Sequence, residues 1–217
     1  MVPFTERRIY KHARRTLAEI SGGWSGLQPC LSADVVCNHY EHHHRHYINR
    51  LNQLLQPYPT YQDWTLEQLL TDCQTLPEEI RSAVLFNAGG VYNHNLYWCS
   101  MAPCRYTSPT GALSKAIACQ YGSFQLFQQQ FKASAMALTG SGWTWLAADC
   151  DGSLSIQNTA NQQVPDLNVL TPLLVVDLWE HAYYLQYRSN RERYLDNWWY
   201  LTNWGFADSQ YRQSMTE

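Results

Sequence analysis

A chain of 217 residues that is 45% hydrophobic can bury one large core or two small ones, which excludes wholesale disorder. Its formal net charge of −3 argues against a nucleic-acid-binding domain, so a small anionic substrate would have to be drawn in by a local patch. No apolar run approaches the ~20 residues of a membrane span, and the N-terminus lacks the apolar core of a secretory signal.

The first pattern is amphipathic. Residues 5–20 place Ile9, Ala13, Leu17 and Ile20 on one helical face and Arg7, Arg8, Lys11, Arg14 and Arg15 on the other. We read residues 1–25 as a basic extension helix packed on the domain. The alternative is a membrane-surface or organelle-targeting helix, against which Glu6 and Glu19 count. From Ser32-Ala33-Asp34, a cap signal, a long helix is predicted to Gln56, ended by Pro57-Tyr58-Pro59. A short helix over about 65–73 follows, then a second long helix from Pro77 to about Ser100, stopped by Pro103. The two long helices form a hairpin, giving an N-terminal domain over 26–105.

A second domain, 106–217, opens near Tyr106-Thr107-Ser108-Pro109 with helices at about 110–120 and 123–138. After Gly140-Ser141-Gly142, short strands are predicted at 143–148, 153–158 and 173–177, the first two joined by the hairpin signal Asp151-Gly152. Helices return from Trp179. The fold class is α+β: a long N-terminal α-hairpin, then a C-terminal α/β unit with a small three-stranded antiparallel sheet flanked by helices. Seven scattered Cys with no C-x-x-C pair argue against a disulfide framework or zinc ribbon and suit free thiols in a reducing cytoplasm.

Three segments carry chemistry. In HYEHHHRHY (39–47), His39, His43 and Tyr47 recur at i, i+4 and i+8 on one helical face, while His42, His44 and His46 read as a surface cluster. In FNAGGVYNHNLYW (86–98), Gly90, His94 and Trp98 share a face. Gly89-Gly90 inside that helix costs about 1 kcal/mol each against Ala, so a close contact is expected there. In DLWEHAYY (177–184), Asp177 ends an apolar strand and His181 follows one turn on. Each segment alone also fits a buried, hydrogen-bonded side chain. Together, three neutral imidazoles and one carboxylate suit a borderline first-row metal better than Ca or Mg.

These segments, with GSFQLFQQQF, GSGWTWL and TPLLVVDLWEHAYYLQYRSNRERYL, resemble the successive motifs of iron/manganese superoxide dismutases over about residues 30–205. The resemblance implies one Mn or Fe ion per subunit held by His39, His94, Asp177 and His181, and superoxide as substrate. It implies an outer shell of His43, Tyr47, Trp98, Trp143 and Trp179, with His43 and Tyr47 gating access and relaying protons. A Gln that orients the metal-bound solvent is expected at Gln162 in TANQQ (159–163), opposite Gly90, whose missing side chain would leave room for it. That placement favours Mn modestly, although Val175 replaces the Gly usual in manganese members. Glu180 and Tyr184 imply a symmetric homodimer, with a tetramer as the further option. Departures from the family are Cys30-Leu31 for His-Ile, Glu41 for Gly and His42 for Lys. The competing readings are a non-haem iron oxidoreductase using two His and one carboxylate, and a metal-binding homologue with little or no activity.

Overall fold

The structure, a computed structural model, describes residues 20 and 22–215, so nearly all of the expected basic extension helix lies outside the described residues. Helix α1 (Ala33–Asn38) starts where Ser32 accepts a hydrogen bond from the Val35 amide, as the cap signal requires. It runs through a π-helical turn, His39–His44, into α2 (Arg45–Leu55). The short α3 (Leu66–Thr71) carries a full capping box between Thr65 and Gln68. Helix α4 (Glu78–Cys99) then packs along α2 and completes the hairpin. From Asn87 to Trp98 every residue of α4 is buried, so this stretch is enclosed on all sides.

Helices α5 (Gly111–Tyr121) and α6 (Phe124–Ala137) lead into strands β1 (Gly142–Ala148), β2 (Leu154–Ala160) and β3 (Thr171–Asp177). The sheet is antiparallel in the order β2-β1-β3. Central β1 and outer β3 are buried along their whole length, which explains their apolar sequences, while β2 forms a half-exposed edge. Helix α6 covers β1 and β2, and α4 and α9 (Trp204–Ser214) pack on β3. Between β3 and α9 lie a tight turn at Glu180–Ala182, α7 (Tyr184–Tyr187) and α8 (Arg191–Trp198). Helix α4 contacts β3, so the middle of the hairpin meets the end of a buried strand.

One expectation is corrected here. The cysteines are not all thiols: Cys30 and Cys104 form a disulfide, and Cys37, Cys73, Cys99, Cys119 and Cys150 lie outside it. The two partners lie 74 residues apart in sequence, a separation at which no local motif announces a pair.

Candidate metal centre

Four side chains from three segments meet where the two halves touch. His39 enters from the π-helical turn, His94 from the middle of α4, Asp177 from the last position of β3, and His181 from the turn after it. One ligand atom from each lies within 4.8 Å of every other. Asp177 Oδ2 is 3.1 Å from His39 Nε2, 3.3 Å from His181 Nε2 and 3.9 Å from His94 Nε2. The first three residues are buried, and His181 nearly so.

The hydrogen bonds aim these groups. His94 Nδ1 donates to the Gly90 carbonyl one turn back, at 2.6 Å, so its Nε2 lone pair points to the other ligands. Asp177 Oδ1 accepts from the Trp179 amide at 2.8 Å, which leaves Oδ2 turned inward. The atoms that remain, Nε2 of His39, His94 and His181 and Oδ2 of Asp177, have no hydrogen-bonding partner although they are buried. Each such atom costs about 1–3 kcal/mol unless something replaces its lost water. Burial holds the His39 imidazole down at about 4 and drives His94 well below its ordinary range, so both are neutral near pH 7. Burial alone would push the Asp177 carboxyl up, but His181 and His39 outweigh it and keep the group ionised. Three inward lone pairs around one carboxylate repel one another and fit a single first-row cation.

Around these four lies a shell of amides, a phenol and aromatic rings. Gln162, in the loop after β2, donates through Nε2 to the Tyr47 hydroxyl at 2.9 Å. Its Oε1 accepts from Trp143 Nε1 at 3.2 Å and Asn93 Nδ2 at 3.1 Å, so both ends of the amide are fixed. Asn161, just before it, adopts the left-handed region at φ 52° that Asn tolerates, and its carbonyl accepts from Trp179 Nε1. Since Gln162 donates to Tyr47, the phenolic hydrogen is left to point elsewhere. Burial pushes the Tyr47 hydroxyl up to about 12, so it keeps that proton at neutral pH. Tyr47 lies against His94, Trp143 against His94, Trp98 against His39, and Trp179 stacks on His181. His43 stacks on His181 with ring centroids 4.1 Å apart, and burial holds its imidazole at about 4.

The paired glycines have the close contacts expected, with one change of partner. A Cβ on Gly89 would stand 2.0 Å from the Gln162 carbonyl oxygen. A Cβ on Gly90 would stand 2.6 Å from the Tyr47 ring, so Gly90 leaves room for Tyr47 rather than for the Gln162 side chain. A second correction concerns His44, which is fully buried and not part of a surface cluster. It stacks on His94 and accepts the Trp98 indole N–H at 3.2 Å through Nδ1. Winding with i→i+5 bonds from His39 to His44 brings the fifth residue back over the first. An α-helical wheel places it elsewhere, which is why periodicity missed it. Glu41 is paired with Arg45 at 2.6 Å, so its charge is compensated locally. Glu180 and Tyr184 are exposed, and Glu180 makes no ion pair among the described residues.

Comparison with known proteins agrees with this geometry. Residues 16–102 match the alpha-hairpin domain, and residues 109–210 the C-terminal domain, of iron/manganese superoxide dismutases. The chain is 40% identical over 193 residues to "Superoxide dismutase [Mn] 1" of Leptolyngbya boryana, covering 88% of this chain and 78% of that one. It is 38% identical to "Superoxide dismutase [Mn]" of Listeria monocytogenes over 87% of this chain and 93% of the other. The enzyme of that name from Thermus aquaticus is 38% identical over 90% and 96%.

Proposed function

The chain belongs to the iron/manganese superoxide dismutase family, and from that membership we propose that it converts superoxide to oxygen and hydrogen peroxide at the His39, His94, Asp177 and His181 centre. The observation that carries this reading is the convergence of four buried, unpartnered ligand atoms within 4.8 Å. A two-histidine, one-carboxylate iron site would present three such residues, and here a fourth completes the set. The resident metal is one manganese or iron ion per subunit. Manganese is favoured by the names of the relatives and by the placing of Gln162 on the sheet side, opposite the glycines of α4.

When bound, the metal supplies a one-electron couple that superoxide reduces and reoxidises in turn. The chain's own residues do the rest. His39 and His94 stay neutral and Asp177 ionised, so the carboxylate supplies the negative charge that would face the metal. Forming hydrogen peroxide from two superoxide ions consumes two protons. Tyr47, held by Gln162 with its own hydrogen free, keeps a proton at the edge of the ligand set. His43 stacks on the one ligand that retains some exposure, which suits it to controlling approach from solvent. Trp98, Trp143 and Trp179 exclude bulk water and hold the imidazole planes.

A symmetric homodimer, with a tetramer as the further option, is supported by exposed Glu180 on the turn that carries His181 and exposed Tyr184 and Leu185 on α7 just after it. In that arrangement Glu180 reaches a metal-ligating His of the second subunit. We put the domain boundary near residue 105, a reading supported by the gap between matched residues 16–102 and 109–210. Five cysteines outside any disulfide favour a reducing, cytoplasmic setting, and among the described residues no helix is long and apolar enough to cross a membrane.

The test is reconstitution of metal-free protein with manganese and iron separately, followed by elemental analysis and a superoxide assay. Activity with at least one metal at about one ion per chain is expected. Folded protein inactive with both would refute the assignment. Sedimentation at micromolar concentration should give a dimer, and Glu180→Ala should shift it toward monomer.

A further inference from the structure

The Cys30–Cys104 bond joins two places that matter for the centre. Cys30 lies just before the Ser32 cap of α1, the helix that leads into His39. Its carbonyl accepts the Tyr187 hydroxyl, and Gln186 clamps the same segment by donating to the Pro29 carbonyl at 3.2 Å and accepting the Ser32 amide at 2.7 Å. The entry to the first ligand helix is thus held against α7, which follows the turn of His181. Cys104 lies between α4 and α5, outside both matched family domains. Its flanking residues are held by the C-terminal half: the Ala102 amide donates to Leu201 and the Arg105 amide to Tyr200.

We propose that Cys30 and Cys104 are a dithiol that hydrogen peroxide oxidises to the disulfide, fastening the entry of the first ligand helix to the segment between the two domains. The source of the oxidant rests on the dismutase reading, in which peroxide is the product made in the same molecule. Access is from the Cys104 side. Cys104 is half-buried, whereas Cys30 is buried at the wall of a cavity of about 360 Å³ that it lines with Tyr187, Asn190 and Arg193. The Cα atoms are 6.4 Å apart, within the span of a disulfide, so a second thiol is in reach once the first has reacted. The exposed Cys119 and Cys150 have no such partner and would stop at sulfenic acid or go on to higher oxides.

The chemistry balances in two displacements. One thiolate attacks a peroxide oxygen, breaking the O–O bond to give a sulfenic acid and hydroxide, which takes up a proton to become water. The second thiolate attacks the sulfenic sulfur, forming the S–S bond and releasing hydroxide that becomes a second water. Two thiols are oxidised, one peroxide is reduced, and no further reductant or oxidant is required.

The experiment starts from manganese-loaded protein reduced with a phosphine and freed of reductant without air. Stoichiometric hydrogen peroxide is added and the remaining thiols are alkylated for mass analysis. Titratable thiols should fall from seven to five with loss of two hydrogens, and digestion should yield one crosslinked peptide joining Cys30 to Cys104. In Cys30→Ser, the half-buried Cys104 should be trapped as a sulfenic acid that reacts with dimedone. The oxidised form should melt at least about 5 °C above the reduced form. Cys30→Ser should melt with the reduced form whether or not peroxide is added. A pair that stays reduced while Cys119 and Cys150 are oxidised overturns the proposal, as does crosslinking to another cysteine or an unchanged melting temperature. The oxidant is added directly, so such a failure is distinct from failure of the dismutase reading, which the superoxide assay tests.

Discussion

The two sides of the metal centre are built differently. Toward α4 and the sheet, His94, Asn93, Gln162, Trp143 and Tyr47 form one closed hydrogen-bonded and stacked network with all members buried. Toward the turn after β3, His43 and Trp179 each stack on His181, and all three keep partial exposure. The closed side has no slack, because the bare backbone of Gly89 and Gly90 is in contact with Gln162 and Tyr47. In the function proposed above, the difference separates two jobs: holding a proton and a redox couple in a dry, fixed field, and admitting a small anion.

The ligand set that both sides share gives the largest expected effect. Asp177→Ala should abolish metal retention and lower activity by more than about 100-fold, read by elemental analysis beside the superoxide assay. Retained metal and activity would mean that the other side chains suffice. Next, Gly89→Ala should destabilise the fold by about 3 kcal/mol, because the Gln162 carbonyl it strikes is backbone and cannot step aside. Gly90→Ala meets a ring that can shift, and Ala gains about 1 kcal/mol of helix propensity, so its cost should be smaller. Urea unfolding of the two variants measures the ranking, and a reversed order would refute the tight-contact account.

Gln162→Ala should lower turnover by about 10–100-fold, while Gln163→Ala, exposed and one residue on, should change it little. The smallest effect concerns pH and the open side. Burial holds His39 and His43 at about 4 in the folded protein, against about 6.5 unfolded. Below pH 6.5 the unfolded chain therefore binds more protons, and the contribution of these two groups to the stability of the metal-free protein falls as pH drops until about pH 4, where it levels. The loss should be roughly 1 kcal/mol between pH 6.5 and 5.5 for buried His39 and less for half-buried His43. His43→Gln should flatten the slope slightly in unfolding curves taken at both pH values.

Much of this was legible from the residues. Among the described residues, the π-helical turn apart, the helices and strands fell within a few residues of their predicted positions, because caps, prolines and apolar runs act locally. The order and spacing of His39, His94, Asp177 and His181 pointed to one centre even though each segment alone was ambiguous. What could not be read were features set by winding and by distant partners. His44 turned inward because the helix widens to i→i+5 bonds, which no 3.6-residue period reveals. Gly90 turned out to accommodate Tyr47, and Cys30 found Cys104 across 74 residues. Sequence alone determined which groups are present, their chemistry and the local elements that carry them, since propensity and capping act over a few residues. Only the tertiary structure decided which atoms lose water together, and so which imidazoles stay neutral, which amide holds the phenol and which thiols meet.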